Sequence, residues 1–358
     1  MEVRAEKVIP YQTLRIIDAN LNRVGEGLRL LEEIARLLLN DVTLTEQLKN
    51  MRHELLRGDS AFYQQLLQFR DSESDVGIEI EVPGEDKEKE LPMVLVANSR
   101  RAQESLRTLE ELAKVPGGIL KLDPEKLKQA RFNLYTIEQK LLSKLLRRDK
   151  MKRISGLYVI IDMQSIRGHP HIEVASQAIG GGARLIQLRD KVQSKSELLP
   201  VAQQLRTLCA EHSVLFIVND YLDVALATDA DGLHLGQDDL PIQIARQLLP
   251  LGKILGCSVT TVEQATSAQS AGADYVAVSA IYPTLSKEVV EVVGLERLRQ
   301  IRQAVSLPLV VVGGITKDNV SEVIAAGADS VAVISAVLGA ESPEEAARQI
   351  SRSLEKQT

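Results

Sequence analysis

The chain has 358 residues, 44 % of them apolar and 26 % charged, with a formal charge of −6. That is an ordinary balance for one or two globular domains with substantial cores. It argues against a basic nucleic-acid-binding surface, and no apolar run is long enough to span a bilayer.

Cys209 and Cys257 lack any Cys-x-x-Cys pairing, which suits a reducing compartment. The start, Met1-Glu2-Val3-Arg4, has no signal-peptide apolar core. A soluble protein of cytoplasmic location is expected, with no nucleic-acid or membrane partner; a homo-oligomer is compatible with the sequence.

Residues 11 to 56 and 94 to 150 read as helices, with leucines at three- and four-residue spacing. Leu21, Val24, Leu28, Leu31, Ala35 and Leu38 form one apolar stripe. The segment from Ala19 to Glu33 recurs 78 residues later, from Ala97 to Glu111. A second helix follows each copy, around Leu48–Arg52 and Leu127–Arg131. Two helical hairpins related by an internal two-fold repeat are therefore expected. Asn20, Arg23 and Glu26, with their copies Asn98, Arg101 and Glu104, would line a symmetric polar cleft. Between the copies, the alternating run Val76–Val82 reads as a strand or an ordered loop.

A basic run, Arg147, Arg148, Lys150, Lys152 and Arg153, ends this region and reads as solvated charge at a junction rather than a phosphate or membrane site. The boundary is placed in Arg148–Ser155, giving a mainly α-helical domain over 1–150 and a second domain over 151–358.

After Gly156, short β-branched runs alternate with amphipathic stretches, the signal of βαβ units. Eight strands are predicted: Leu157–Ile161, Arg184–Leu188, Val214–Val218, Gly232–Leu235, Ile254–Ser258, Tyr275–Val278, Leu309–Val312 and Ser330–Ile334. Each but the short fourth is followed by a helical pattern. Gly-Ala-Arg or Gly-Ala-Asp marks the turn into strands two, six and eight. The first strand ends Ile160-Ile161-Asp162-Met163, without the glycine-rich turn of a doubly wound dinucleotide fold. The predicted fold class is α/β, a (β/α)8 TIM barrel preceded by the helical domain.

In such a barrel the reacting groups stand at the C-terminal ends of the strands. Gln187, Arg189 and Lys191 alternate along the second strand, so all three can face one cavity and suit a polyphosphate carrying a polar ring. The alternative is a strand-end salt bridge. Val218-Asn219-Asp220 and His234-Leu235-Gly236-Gln237-Asp238-Asp239 place carboxylates at neighbouring strand ends, a set that fits a hard cation such as Mg²⁺ held jointly with phosphate. Asp231 reads as a turn residue before its strand, and His234 as either packed or a ligand. Gly313-Gly314 after strand seven and small residues after strand eight suit a phosphate cradle. Thr284, Ser286 and Lys287 form either a second anion clamp or an ordinary surface loop. His169 and His171 lack further ligands and read as a polar loop. Cys257 has no activating neighbour. No Ser-His-Asp or Cys-His set is present, so no covalent nucleophile is predicted and the chemistry should rest on stabilising a departing diphosphate.

The ordered set Gln187-x-Arg189-x-Lys191, Val218-Asn219-Asp220, His234-Leu235-Gly236-Gln237-x-Asp239, Pro283-Thr284-x-Ser286-Lys287, Gly313-Gly314-Ile315 and Ile334-Ser335 closely resembles the thiamine-phosphate synthase family over nearly all of residues 156 to 345. The resemblance implies a transferase of thiamine biosynthesis. It would join hydroxymethylpyrimidine diphosphate, an aminopyrimidine, to thiazole phosphate, with release of diphosphate. It implies that Gln187, Arg189, Lys191, Asn219, Ser258 and Lys287 hold the pyrimidine diphosphate, and that Asp220 and Asp239 bind Mg²⁺. Thr284, Ser286, Gly314, Ile334 and Ser335 would receive the thiazole phosphate. The family more often has threonine at position 286, and a hydroxyl is retained. A tautomerase-like barrel acting on thiazole phosphate, or a phosphate-binding regulator, are the competing readings. The helical half resembles a domain fused to some of these synthases and associated with phosphorylating hydroxymethylpyrimidine phosphate. No phosphate-binding glycine loop accompanies it, and a docking or dimerisation domain is the alternative.

Overall fold

A computed structural model describes residues 10–56, 60–71, 90–115, 122–166, 170–283 and 292–355. The chain divides into two compact units, Met1–Leu146 and Arg147–Thr358. The run Val76–Val82 lies outside the described residues.

The first unit is helical. It comprises α1 (Tyr11–Glu33), a π-helical turn over Ile34–Leu38, α2 (Val42–Leu56), α3 (Ser60–Gln68), α4 (Leu91–Ala113) and most of α5 (Pro124–Lys152). Of the expected stripe, Ala35 is fully buried but Leu21 and Leu38 are only half-buried; Val24, Leu28 and Leu31, with Leu14 and Ile17 before them, are almost fully inaccessible. Each such side chain contributes on the order of 1.5–3 kcal/mol by leaving water. Leu95, Leu106 and Leu109 do the same on α4, with Ala102 buried among them, and both stripes enter one core. Gly27 lets the two helices approach closely. A Cβ there would stand 3.0 Å from the Asn98 carbonyl oxygen and 3.1 Å from the Ala102 methyl.

The internal repeat is visible in polar detail. Glu32 on α1 accepts from Arg52 Nη2 on α2 at 2.8 Å, and the repeat-related Glu110 on α4 accepts from Arg131 Nη2 on α5 at 3.0 Å. Asn20 and Asn98 each donate back to the carbonyl four residues earlier, Ile16 and Val94. Glu110 also pairs with Lys114 and Arg107, and these cations pull its carboxyl down to about 2, with Lys114 first.

The second unit is a closed eight-stranded parallel barrel in sequential order. Its strands are β1 (Gly156–Asp162), β2 (Ala183–Arg189), β3 (Leu215–Asn219), β4 (Gly232–Leu235), β5 (Ile254–Val259), β6 (Tyr275–Ser279), β7 (Leu309–Val312) and β8 (Ser330–Val333). The intervening helices are α6 (His171–Gly180), α7 (Lys195–Glu211), α8 (Leu222–Ala227), α9 (Ile242–Leu248), α10 (Val262–Ala271), α11 (Gly294–Ala304) and α12 (Val320–Ala325). After β8 come α13 (Ser335–Leu338) and α14 (Pro343–Glu355). The fourth strand does have a helix after it: α9 has seven residues, too few for a strong periodic signal.

At the N-terminal ends of the strands one device recurs. Asp231, Asp274 and Asp329 precede β4, β6 and β8. Their carboxylates accept from the backbone N–H of Phe216, Leu255 and Leu309 at the start of the preceding strand. Arg246 and Arg302, from α9 and α11, neutralise Asp274 and Asp329, while Arg206 of α7 approaches Asp231. Asp231 is thus a turn residue, on the face opposite the strands' C-terminal ends. The basic run is structural too. Its first residues continue α5 as helix, Arg147 pairs with Asp274 at 2.9 Å, and Lys150 pairs with Asp231 at 3.0 Å. Arg147 is 6 % exposed, so it is buried charge and not a solvated junction.

Candidate active site

Parallel strands deliver their C-terminal ends to one face of the barrel. Gln187 and Arg189 point inward from β2 as their alternation demands, but each meets a protein partner. Arg189 Nη1 pairs with Asp162, its register neighbour at the end of β1. Asp162 also accepts from the backbone N–H groups of Gln164 and Ser165, and is 2 % exposed. No role is assigned to Asp162 by the sequence reading. A carboxylate closing a barrel strand is the signal that could have found it.

Lys191, just past β2, reaches Asp220 at 3.3 Å. Asp220 follows β3 in the left-handed backbone region, φ 63°, which aspartate tolerates better than most residues. Its carboxyl neighbours that of Asp239 from the loop after β4. Burial first, and then the neighbouring Asp239, push Asp220 up to about 6, against the opposing pull of Lys191. Asp239 is itself aimed by the Gly236 N–H at 2.6 Å. Asn219 sits buried at the end of β3, in register with His234. The structure therefore brings Lys191, Asp220 and Asp239 together, and holds Arg189 against Asp162.

Below this level lies a continuous hydrogen-bonded chain across the barrel. Gln187 Nε2 donates to the Tyr158 hydroxyl at 3.1 Å, and the Tyr158 and Tyr275 hydroxyls stand 3.2 Å apart. The Tyr275 hydroxyl lies 3.0 Å from His234 Nδ1, and His234 Nε2 lies 2.9 Å from Ser258 Oγ. His234 is thus packed, stacked on the Tyr275 ring with centroids 5.5 Å apart. Gly256 makes the stacking feasible. It stands in register between His234 and Tyr275, and a Cβ on it would lie 2.1 Å from Tyr275 Cζ. Glycine inside a strand costs about 0.5–1 kcal/mol, and here it vacates the space the ring occupies.

On the other side of the barrel, Gly313 and Gly314 follow β7 with φ of 99° and 67°. A Cβ on Gly314 would meet Pro283 O and Tyr282 Cβ at 2.7 Å, so the loops after β6 and β7 touch there. Asn319 secures the turn by donating to Gly314 O and accepting from Thr316 N. Ile334 is the residue preceding α13 and Ser335 its first residue, exposed at the end of β8. Gly314, Ile334 and Ser335 thus share the ends of adjacent strands. Thr284, Ser286, Lys287 and His169 lie outside the described residues.

Neither cysteine is set up as a nucleophile: burial pushes Cys257 up to about 11 and Cys209 to about 12. His171 opens α6, half-buried, with its pKa lowered by burial. Among the described residues no group of three or more His, Cys, Asp or Glu side chains gathers around a metal-sized space, and no helix is long and apolar enough to cross a membrane.

Two family models match the chain, one described as thiamine monophosphate synthase over residues 157–337 and one as the ThiD2 family over residues 15–140. The thiamine-phosphate synthase of Thermosynechococcus vestitus is 37 % identical over 341 residues, covering 95 % of this chain and 94 % of that one. The chain belongs to the thiamine-phosphate synthase family. The Synechocystis member is 37 % identical over 356 residues, with 98 % and 99 % coverage. The Methanospirillum hungatei member is 50 % identical over 184 residues, covering 51 % of this chain and 89 % of its own. Among solved structures, the thiamine phosphate pyrophosphorylase of Pyrococcus furiosus aligns with a TM-score of 0.54 at 40 % identity, covering 58 % of this chain and 98 % of that chain. The Thermosynechococcus and Synechocystis proteins thus align with nearly the whole chain, while the Methanospirillum and Pyrococcus proteins match little more than half of it.

Among the described residues of the helical unit, the six polar side chains do not gather in one space. Asn20 and Arg23 border a cavity of 570 Å³ with Arg15, Asp18 and Arg70, whereas Glu26 borders another, of 740 Å³, with Arg29, Arg52 and Lys126. Arg101 and Glu104 are solvent-exposed on α4 and line neither. The conflict is geometric: α1 and α4 turn their apolar stripes toward each other, which leaves the polar faces pointing apart.

Proposed function

We propose that the barrel is the synthase centre of this family member, transferring the aminopyrimidinylmethyl group from diphosphate to the nitrogen of thiazole phosphate. The observation that carries this reading is the pair of adjoining carboxylates, Asp220 and Asp239, beside Lys191. Two carboxylates pressed together and partly dehydrated repel one another, and a cation relieves that repulsion. All the donors are hard oxygens, which fits Mg²⁺ and leaves positions for water and phosphate oxygens. When bound, Mg²⁺ would neutralise charge on the diphosphate.

The chain's own groups carry the rest. The bond from the pyrimidine methylene carbon to the diphosphate oxygen breaks, and its electron pair leaves with the diphosphate. Arg189, fixed by Asp162, and Lys191, beside Asp220, bind the diphosphate oxygens and favour the departing diphosphate, which gains one negative charge, over the bound ester. The amino group of the ring stabilises the resulting pyrimidinylmethyl cation, and the thiazole nitrogen supplies its lone pair to that carbon. No protein nucleophile is needed, in keeping with the raised cysteine thiols. Gln187, Asn219, Ser258 and Lys287 would hold the pyrimidine. Gly314, Ile334 and Ser335, with Thr284 and Ser286, would seat the thiazole phosphate.

The match of residues 15–140 to the ThiD2 family supports a second activity in the helical unit, phosphorylation of hydroxymethylpyrimidine phosphate to the diphosphate that the barrel consumes.

Incubating the full chain with both substrates and Mg²⁺ should yield thiamine phosphate and diphosphate in equal amounts. Failure to form either would remove the synthase reading. Supplying the pyrimidine monophosphate with ATP instead tests the second activity: no diphosphate product would leave the helical unit a docking or dimerisation domain.

A further inference from the structure

The buried chain across the barrel has a direction, and the direction follows from counting protons. Gln187 can only donate through Nε2, so the Tyr158 hydroxyl accepts from it and turns its own hydrogen to Tyr275. The Tyr275 hydroxyl, having accepted, donates to His234 Nδ1. His234 then carries its hydrogen on Nε2 and donates to Ser258 Oγ. Both tyrosines have their pKa raised by burial, so each remains a neutral donor. One end of the chain is thus an amide whose nitrogen is turned inward, with one N–H on Tyr158, which turns its oxygen the other way as an acceptor. The other end is a hydroxyl that accepts from inside, which leaves its hydrogen turned away from the histidine.

We infer that Tyr158, Tyr275 and His234 are positioning residues that set the donor and acceptor polarity of Gln187 and Ser258, and so select an aminopyrimidine over an oxopyrimidine. This rests on the reading that Gln187 and Ser258 contact the pyrimidine. A 4-aminopyrimidine presents an N–H donor beside a ring-nitrogen acceptor; the 4-oxo analogue presents the reverse. An acceptor oxygen on Gln187 and a donor hydroxyl on Ser258 complement the first and leave mismatched groups against the second. Mismatching a buried donor or acceptor is what gives polar sites their discrimination. The arrangement depends on Tyr275 lying over Gly256, so the strand glycine and the histidine tautomer belong to one device.

The test compares kcat/KM for the amino and 4-oxo pyrimidine diphosphates in the wild-type chain and in Tyr275→Phe and Tyr158→Phe. Removing the Tyr275 hydroxyl takes away the donor that keeps His234 Nδ1 an acceptor; a hydrogen moved to Nδ1 turns Nε2 into an acceptor, and Ser258, donating to it, presents an acceptor to the ring. The ratio of the two kcat/KM values should fall by about 10-fold or more, while KM for thiazole phosphate stays unchanged. A uniform loss against both pyrimidines, with the ratio intact, would make the tyrosines packing residues only and overturn the inference. A wild-type chain with no turnover would instead defeat the synthase reading. Nitrogen-15 NMR of wild-type His234 decides the matter independently of whether the variants fold: a hydrogen on Nε2 is required, and one on Nδ1 overturns the inference.

Discussion

Arg189 and Asp162 stand opposite one another at the ends of neighbouring strands β2 and β1, joined as a buried ion pair. The guanidinium has one face on Asp162 and is only slightly exposed, so it cannot swing into solvent when its substrate is absent. Asp162 makes Arg189 a fixed anion-binding group rather than a flexible one.

Asp162→Ala should leave that guanidinium buried without a counter-charge. Breaking a buried pair from one side costs about 3 kcal/mol or more, so the barrel's denaturation midpoint should fall markedly. In kinetics, kcat/KM for the pyrimidine diphosphate should fall at least ~10-fold, with the thiazole phosphate KM little changed. Unchanged stability would mean that the pair contributes nothing.

Asp220→Asn should separate activity from stability. The folded state raises Asp220 from 3.8 to about 6, so its stability contribution is fully present below pH 3.8 and is lost as pH rises through 6. At neutral pH and without added metal, the ionised pair is a liability that the neutral amide removes, and asparagine also tolerates the positive φ. Thermal melts above pH 6 should show a raised midpoint for the variant, while thiamine phosphate formation is abolished. A lowered midpoint would contradict the charge-crowding account.

Acid should unfold the helical unit through Glu110. Its carboxyl is depressed from 4.5 to about 2 by Lys114, Arg131 and Arg107. The corresponding stability is present above pH 4.5 and disappears as pH falls toward 2. Hydrogen exchange of α4 and α5 amides should accelerate across that window in the wild-type chain. In Glu110→Gln the pH dependence should flatten, with lower protection already at pH 7.

Gly314→Ala tests the loops after β6 and β7. The left-handed φ costs a non-glycine residue about 1–2 kcal/mol, and the added methyl collides with Pro283 O and Tyr282 Cβ at 2.7 Å. KM for thiazole phosphate should rise while KM for the pyrimidine diphosphate holds. Parallel rises in both would argue against separate subsites.

The barrel is legible in the sequence because its strands are buried on both faces and therefore read as unbroken runs such as Val310-Val311-Val312, bounded by glycine turns. Their ends fall within two residues of the predicted ones. The repeat in the helical half is legible for a different reason: similar local sequences impose similar helix faces, down to the Glu32–Arg52 and Glu110–Arg131 pairs. The single polar cleft expected from Asn20, Arg23, Glu26 and their copies fails because periodicity says which face of a helix is polar but not what that face meets.

Strand period and the parallel arrangement were enough to send Gln187, Arg189, Asp220 and Asp239 to one end of one barrel, since a side chain's direction along a strand is a local property. Asp162 against Arg189 depends on the register of β1 on β2, and the contact of Tyr158 with Tyr275 depends on closure of the sheet. Closure brings those two tyrosines, 117 residues apart, within hydrogen-bond reach. Pairing across such separations is fixed by packing and by strand register, which no local pattern encodes.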